Sequence, residues 1–219
     1  MKQLYLLTGL MMLVLTAWMP NEAQNDPRAE QLLDKVASKF KNYKSVYAEF
    51  SYELYNPDAM VKQETNGRVT IAGNKYRAEY MGITDIFDGH KRYVIIPETK
   101  EVNITTPAAD NEELPELTPA TLFSFFKKGY MMKWDIKQNA GGRIIQYVKL
   151  LPIKENDIKY VLLGIDTKTY NIYKAIIIQN NGTRITIYIR KFKTDVPVND
   201  QMFTFDKNKY ADYFINELD

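Results

Sequence analysis

The chain has 219 residues, with 29 basic against 27 acidic side chains, one histidine and no cysteine. That inventory excludes a disulfide framework, thiol chemistry and cysteine-ligated metals, and the near-balanced charge argues against nucleic acid as a principal partner. Sixteen tyrosines and ten phenylalanines suit a β-rich protein, or a surface that handles apolar material.

In chain order, Lys2 precedes the apolar run Leu4–Met19, and Pro20-Asn21-Glu22-Ala23 follows as a polar, small-ended stretch. This reads as a secretory signal peptide over residues 1–23, cut near Ala23; the run is too short, and its flanks wrong, for a stable membrane span. With no cysteine the exported chain cannot carry acyl groups itself. Residues 24–219 are then expected to form a single domain, long enough for a sizeable core.

Asp26 as N-cap and Pro27 at the first helical position open a predicted amphipathic helix over 26–42, with Leu32, Leu33, Val36 and Phe40 at helical spacing. The period then changes to two. Val46, Ala48, Phe50, Tyr52 and Leu54 alternate with Tyr47, Glu49, Ser51 and Glu53, which predicts a long half-buried strand over 45–55. Further strands are predicted at 68–71, 75–81, 83–87, 91–96 and 101–105, with Asp88-Gly89 as the strongest hairpin signal. After an acidic, Pro-broken stretch, Thr118-Pro119 starts a predicted helix that carries Leu122, Phe123, Phe125 and Phe126 and stops near Gly129. Strands follow at 132–138, 143–150, 159–165, 172–179, 184–192 and 202–205. Eleven strands and the last short one at 202–205 make a meander with no βαβ alternation, so the expected class is mainly β with helices (α+β), built on one curved antiparallel sheet of about eleven strands.

His90 adjoins the Asp88-Gly89 turn and reads as incidental, and Glu112-Glu113 reads as a solvated acidic stretch. No Gly-rich phosphate loop or nucleophile elbow occurs, so neither an enzyme nor a cofactor or metal is expected. By alternation, Phe50, Tyr52 and Leu54, then Trp134 and Ile136, then Ile185, Ile187 and Ile189 are assigned to the inner surface of the sheet. Leu122, Phe123, Phe125 and Phe126, with Met131 and Met132, form an apolar face that is either ordinary core or the underside of a lid.

Several segments in order resemble the periplasmic outer-membrane lipoprotein carrier family (LolA-like). They are YKSVYAEFSYEL, NGRVTIAGNKYRAEY, ITDIFDGHKRYVIIPETKEV, LTPATLFSFF, YVKLLPIKEN, LGIDTKTYNIYKAIIIQNNGTRITIYI and MFTFD. The resemblance implies an incomplete, unclosed β-barrel covered by a helical lid. It also implies an apolar hollow that carries the acyl chains of lipoproteins from the inner to the outer membrane. Acylated lipoproteins and an inner-membrane releasing transporter are the partners it implies, the chain acting as a periplasmic monomer; it does not indicate the outer-membrane acceptor. Enterobacterial members tether the lid through an Arg just before a Pro in the turn after the second strand. Here that turn is Ala72-Gly73-Asn74, and Arg77, from the aromatic-Arg pair Tyr76-Arg77, is left as the candidate for lid control. The alternative is a lipid-binding or sensor domain of the same fold that binds a protein partner and ferries no cargo.

Overall fold

The computed structural model describes residues 24–107 and 121–218. Helix α1 (Pro27–Lys41) precedes β1 (Val46–Asn56), β2 (Val61–Ala72), β3 (Lys75–Tyr80), β4 (Ile83–Phe87), β5 (Arg92–Ile96) and β6 (Glu101–Thr105). Two 3-10 helices, Thr121–Phe123 and Phe125–Lys127, lead into β7 (Tyr130–Ala140), β8 (Arg143–Pro152), β9 (Ile158–Asp166), β10 (Ile172–Gln179) and β11 (Arg184–Thr194). Two more, Asp200–Phe203 and Lys207–Tyr210, precede β12 (Phe214–Leu218). Among the described residues the strands form one sheet in the order β12-β6-β5-β4-β3-β2-β1-β11-β10-β9-β8-β7. Strands β12 and β7 end the order without pairing to each other, so the sheet is open, as an incomplete barrel requires.

Helix α1 forms where the sequence signals it. Asp26 caps it by accepting from the backbone N–H of Arg28 at 2.9 Å, with Pro27 opening the first turn. Ala29, Leu32, Leu33, Val36 and Ala37 make its buried stripe. Burying Leu32, Leu33 and Val36 alone is worth on the order of 5–9 kcal/mol. The chain entering α1 also ties down the sheet's free edge. The Asp26 backbone N–H donates to the Met132 carbonyl and Met132 N–H to Asn25 Oδ1, each at 2.8 Å, so part of β7 is covered.

The register gives the two faces of the sheet different coverings. On one face Ala48, Phe50, Val69, Ile71, Ala78, Val148, Leu150, Val161, Leu163, Ala175, Ile177 and Ile187 pack with α1 and the segment Leu122–Phe126 in one buried cluster. On the opposite face, over β4–β6, Ile86, Ile95, Val102 and Ile104 form a second core. It is closed by Phe205, Tyr210, Tyr213 and Ile215 of the C-terminal segment, with Tyr93 stacked on Phe205 at 4.9 Å and Phe205 on Tyr210 at 5.4 Å.

Four elements depart from the sequence reading. There are twelve strands, because Phe214–Leu218, read as part of a mixed tail, pairs with β6 as the one parallel neighbour among the described residues. Residues 202–205 are not a strand: the backbone there turns as a 3-10 helix capped by Asn199, whose side chain accepts from Met202 N–H. Strand β2 starts six residues before Gly67, since the β1–β2 pairing runs unbroken from Asn56↔Val61 although Val61–Asn66 are mostly exposed and polar. The segment expected as one helix is two 3-10 turns, and its expected N-cap Thr118 lies outside the described residues, as do residues 1–23 and Glu112-Glu113. His90 is exposed in the turn after β4, where Asp88 accepts from the N–H groups of His90 and Lys91 at 2.8 Å.

Candidate functional site

The two 3-10 turns from Thr121 to Lys127 lie across the face that carries α1. Leu122, Phe123, Phe125 and Phe126 are all buried beneath them. Phe125 meets Phe126 and Tyr130 edge-on, at 5.7 and 5.5 Å, which anchors this half of the segment over β7. Phe123 instead reaches α1. It stacks on Phe40 with ring centres 4.8 Å apart and planes 6° from parallel, and tilts against Phe192 of β11 at 5.6 Å.

Beside that stack lies a cleft of about 350 Å³ between the end of α1, the start of β1, the end of β2 and the covering segment. Ala37, Phe40, Tyr43, Val46, Ile71 and Phe123 give it apolar walls, and Lys41, Lys44 and Lys127 stand at its rim. The volume falls at the low end for a small-molecule site. Sequence reading misses Phe40, Tyr43, Val46 and Ile71 as lining residues. Phe40 is visible only as one more apolar position of a helix, and the pairing Val46↔Ile71 that brings the walls together is not local.

Most of the residues assigned to the inner surface by alternation gather in the buried cluster on this face: Phe50 and Ile187 are buried in it, and Tyr52, Trp134, Ile185 and Ile189 pack against it from partly buried positions. Met132, grouped with the covering segment, is buried there too. Burial pushes the Tyr52 phenol above its ordinary value. Trp134 is held from outside by the Arg28 guanidinium, 5.1 Å from its ring centre. Gly67 opposite Phe50 leaves room for that ring: a Cβ there would come within 2.4 Å of Phe50 Cζ.

Four assignments do not join the others. Leu54 is half-buried at the far end of β1, outside the cluster. Met131 precedes Met132 in an extended strand, so its side chain leaves on the opposite face. Ile136 is 62 % exposed, because a bulge between Trp134 and Lys137 takes it off the apolar row. Gln146, facing that bulge, donates through Nε2 to the carbonyls of Asp135 at 2.7 Å and Ile136 at 3.2 Å. Arg77 likewise points away from the covering segment. Its neighbours on the same face are Ile86 of β4 and Thr70 of β2, and it pairs with Glu79 at 3.1 Å.

The buried cluster on this face ends at β3. Asp85, on the same face as Tyr76 and Ala78, has a side chain only 1 % exposed. It receives a two-pronged ion pair from Arg92, at 3.0 Å from Nε and 2.8 Å from Nη2, and a hydrogen bond from the Tyr76 hydroxyl at 3.1 Å. Burial and the nearby Asp85 carboxylate push the Tyr76 phenol far above its ordinary value, so it stays a donor. Next along, Asn216 of β12 donates to Asn103 of β6 at 3.2 Å. From β4 to β12 the same sheet face is mixed, with Asp85, Asn103 and Asn216 set beside Phe87, Val94, Ile96 and Phe214.

The described residues include no group of three or more His, Cys, Asp or Glu arranged to hold a metal ion, and no helix long and apolar enough to cross a membrane.

Comparison with known proteins places this architecture. The family model described as "Outer membrane lipoprotein carrier protein LolA" matches residues 19–183. An outer-membrane lipoprotein carrier protein of Pseudomonas putida (strain GB-1) is 25 % identical over 189 residues, covering 84 % of this chain and 87 % of its own. One from Xanthomonas oryzae pv. oryzae is 23 % identical over 173 residues, with 75 % and 78 % covered. Among solved structures, an uncharacterized conserved protein from Thermus thermophilus superposes with a TM-score of 0.59 at 11 % identity, covering 87 % of this chain and 99 % of that one, and shows the same fold. The chain belongs to the outer-membrane lipoprotein carrier protein family.

Proposed function

We propose that this protein is an exported, non-enzymatic carrier that shelters the acyl chains of lipoproteins on their way across the periplasm to the outer membrane. The observation that carries this reading is the apolar cleft closed by the Phe40–Phe123 stack, under a segment held by aromatic contacts on the α1 face of an open sheet. The family match and the carrier relatives support the same reading.

The physical demand on such a carrier is clear. Each CH₂ withdrawn from water is worth about 0.8 kcal/mol, so an acylated protein does not leave a bilayer for water unaided. The carrier must offer a comparable apolar surface and still release its cargo. The walls are in contact with one another and the cleft is small, which suits a closed form of the carrier. Loading then requires the segment Thr121–Lys127 to lift, separating Phe123 from Phe40 and Phe192 and exposing the row Phe50, Tyr52 and Ile187. Two short 3-10 turns suit this motion, because such turns carry poorer hydrogen bonds than an α-helix and mobile covers come from the less stable parts of a fold.

Binding of a synthetic diacylated lipopeptide tests the proposal. Native mass spectrometry should show a complex with the diacylated peptide and none with the same peptide lacking its acyl chains. Equal binding of both forms, or of neither, would overturn the reading.

A further inference from the structure

We infer that the sheet face opposite α1, over β8–β11 and β1, is a docking surface for an anionic lipid bilayer. The inference is independent of the apolar cleft, which lies on the other side of the sheet.

The register puts Arg143 and Lys149 of β8, Lys174 of β10, and Arg184, Lys191 and Lys193 of β11 on this face, and Arg190, at the β11 irregularity, joins them by donating from Nε to Ser51 Oγ at 3.0 Å. From the same face of β1 the acids are Glu49 and Glu53, and both are engaged: Glu49 with Lys191 at 2.8 Å, Glu53 with Arg184 at 3.7 Å. Asp166 of β9 is buried and caps the turn that follows, accepting from Lys168 and Thr169 N–H. A chain whose charges nearly cancel therefore concentrates positive charge on this one surface.

Tyrosines stand between these cations. Lys149 lies 4.3 Å from the ring centre of Tyr160, Arg143 4.7 Å from Tyr173, and Lys174 and Arg190 4.9 and 5.0 Å from that of Tyr188. Tyr147 lies flat over Gly164, where a Cβ would come within 2.8 Å of its ring. Cation–π contacts hold the basic groups spread over the sheet, where they would otherwise repel each other. Among the described residues, the C-terminal segment borders this face only at Tyr47 and Lys193, through Val196 to Met202, before it closes the second core over β4–β6.

Charge complementarity selects a negatively charged partner, and the interleaved tyrosines select a bilayer. Tyrosine is at home at the level of lipid headgroups, with an apolar ring and a polar tip, while lysine and arginine reach phosphates beside it. An acidic protein would need matching pockets, and this surface is a broad lattice of rings and cations. Docked in this way, the molecule would turn the α1 face and its covering segment away from the bilayer, leaving the cover free to open.

The test is co-sedimentation of the mature protein with vesicles of phosphatidylcholine alone or mixed with phosphatidylglycerol. Wild type should pellet with the mixed vesicles, not with phosphatidylcholine, and binding should fade as salt rises. Each basic residue at a bilayer surface contributes about a fivefold factor to partitioning, so joint replacement of Arg143, Lys149, Arg190 and Lys193 by Gln should lower it by about two to three orders of magnitude. Replacing Lys91, Lys137, Lys207 and Lys209 by Gln removes the same charge elsewhere and should change it far less. If the first variant fails to fold, Lys149→Glu and Arg190→Glu tested singly give the same readout. Absence of wild-type binding to the anionic vesicles, which would leave an acidic protein as the partner, overturns the inference. So does an equal loss in the two fourfold variants.

Discussion

Replacing Phe123 by alanine separates a cover that opens from ordinary core. The ring is buried and held by Phe40 at 4.8 Å and Phe192 at 5.6 Å, and it borders a cleft of about 350 Å³. Truncating a buried phenylalanine costs about 3–5 kcal/mol. Because the new void merges with existing space, the loss should fall near the lower end, about 3 kcal/mol, or a drop of about 6–12 °C in melting temperature for a domain of this size. Ligand binding should move the other way. If the Phe123 segment must lift before a chain enters, apparent affinity is the intrinsic affinity scaled by the open fraction. The two ring contacts close the cover by about 1–2 kcal/mol beyond area burial, so losing them should tighten the apparent Kd about five- to thirtyfold. The assay is thermal melting by circular dichroism beside titration with a fluorescent fatty-acid analogue, with affinity expressed per folded molecule. A lower melting temperature with an unchanged or weaker Kd would refute the opening argument and leave Phe123 as plain core.

Gly67→Ala should destabilise the fold by about 1–3 kcal/mol, since its Cβ would sit 2.4 Å from Phe50 Cζ and 2.8 Å from the Glu79 carbonyl. The urea midpoint should fall, and combining the change with Phe50→Leu should cost less than the sum; simple additivity would contradict the contact. Arg92→Ala leaves the Asp85 carboxylate buried without its ion pair and should cost about 3–5 kcal/mol in chemical denaturation. A shift under about 0.5 kcal/mol, the size of a surface change, would show the pair to be incidental. The hydrogen bond from Arg28 holds the Asp26 carboxyl down to about 2, against an ordinary 3.8. A carboxylate depressed on folding adds stability above its unfolded pKa and loses it as pH falls through the folded one. The melting temperature of wild type should therefore drop more steeply between pH 4 and pH 2 than that of Asp26→Asn, and parallel curves would rule the linkage out.

The meander is legible because its signals are local. Turn residues such as Asp88-Gly89 sit between alternating runs, and each hairpin pairs neighbours in sequence, so β3 to β6 and β7 to β11 fall where the alternation puts them. Strand β12 is not, because its partner β6 is distant in the chain and a parallel pairing needs no turn signature. Val61–Asn66 escapes for another reason: with both faces exposed, nothing forces alternation, and the strand exists because β1 offers it a ladder.

At the site, period-two reading puts Phe50, Tyr52, Ile185, Ile187 and Ile189 on one face, with the cluster that the structure shows. It fails at Ile136 because a bulge resets the alternation and leaves no mark in the residue pattern. Met131 is grouped with Met132 for flexibility, although adjacent strand residues leave on opposite faces. Arg77 is singled out by nearness in sequence to a family turn. Its strand position sends it to the face the C-terminal segment covers, next to Ile86, which packs under Phe205 and Tyr210. The cleft itself cannot be read from the sequence, because its walls come from α1, β1, β2 and the 3-10 segment, and their meeting depends on the whole sheet.

The measurement closest to the central claim places a photoreactive phenylalanine analogue at position 123 of the full chain in living cells. Irradiation should yield adducts with lipoproteins that carry acyl chains, and the adducts should vanish for a cargo whose acylated cysteine is replaced by serine. The same analogue at position 160, on the opposite face, should give no such adduct. Crosslinks that ignore acylation, or that form equally from both positions, would contradict the account.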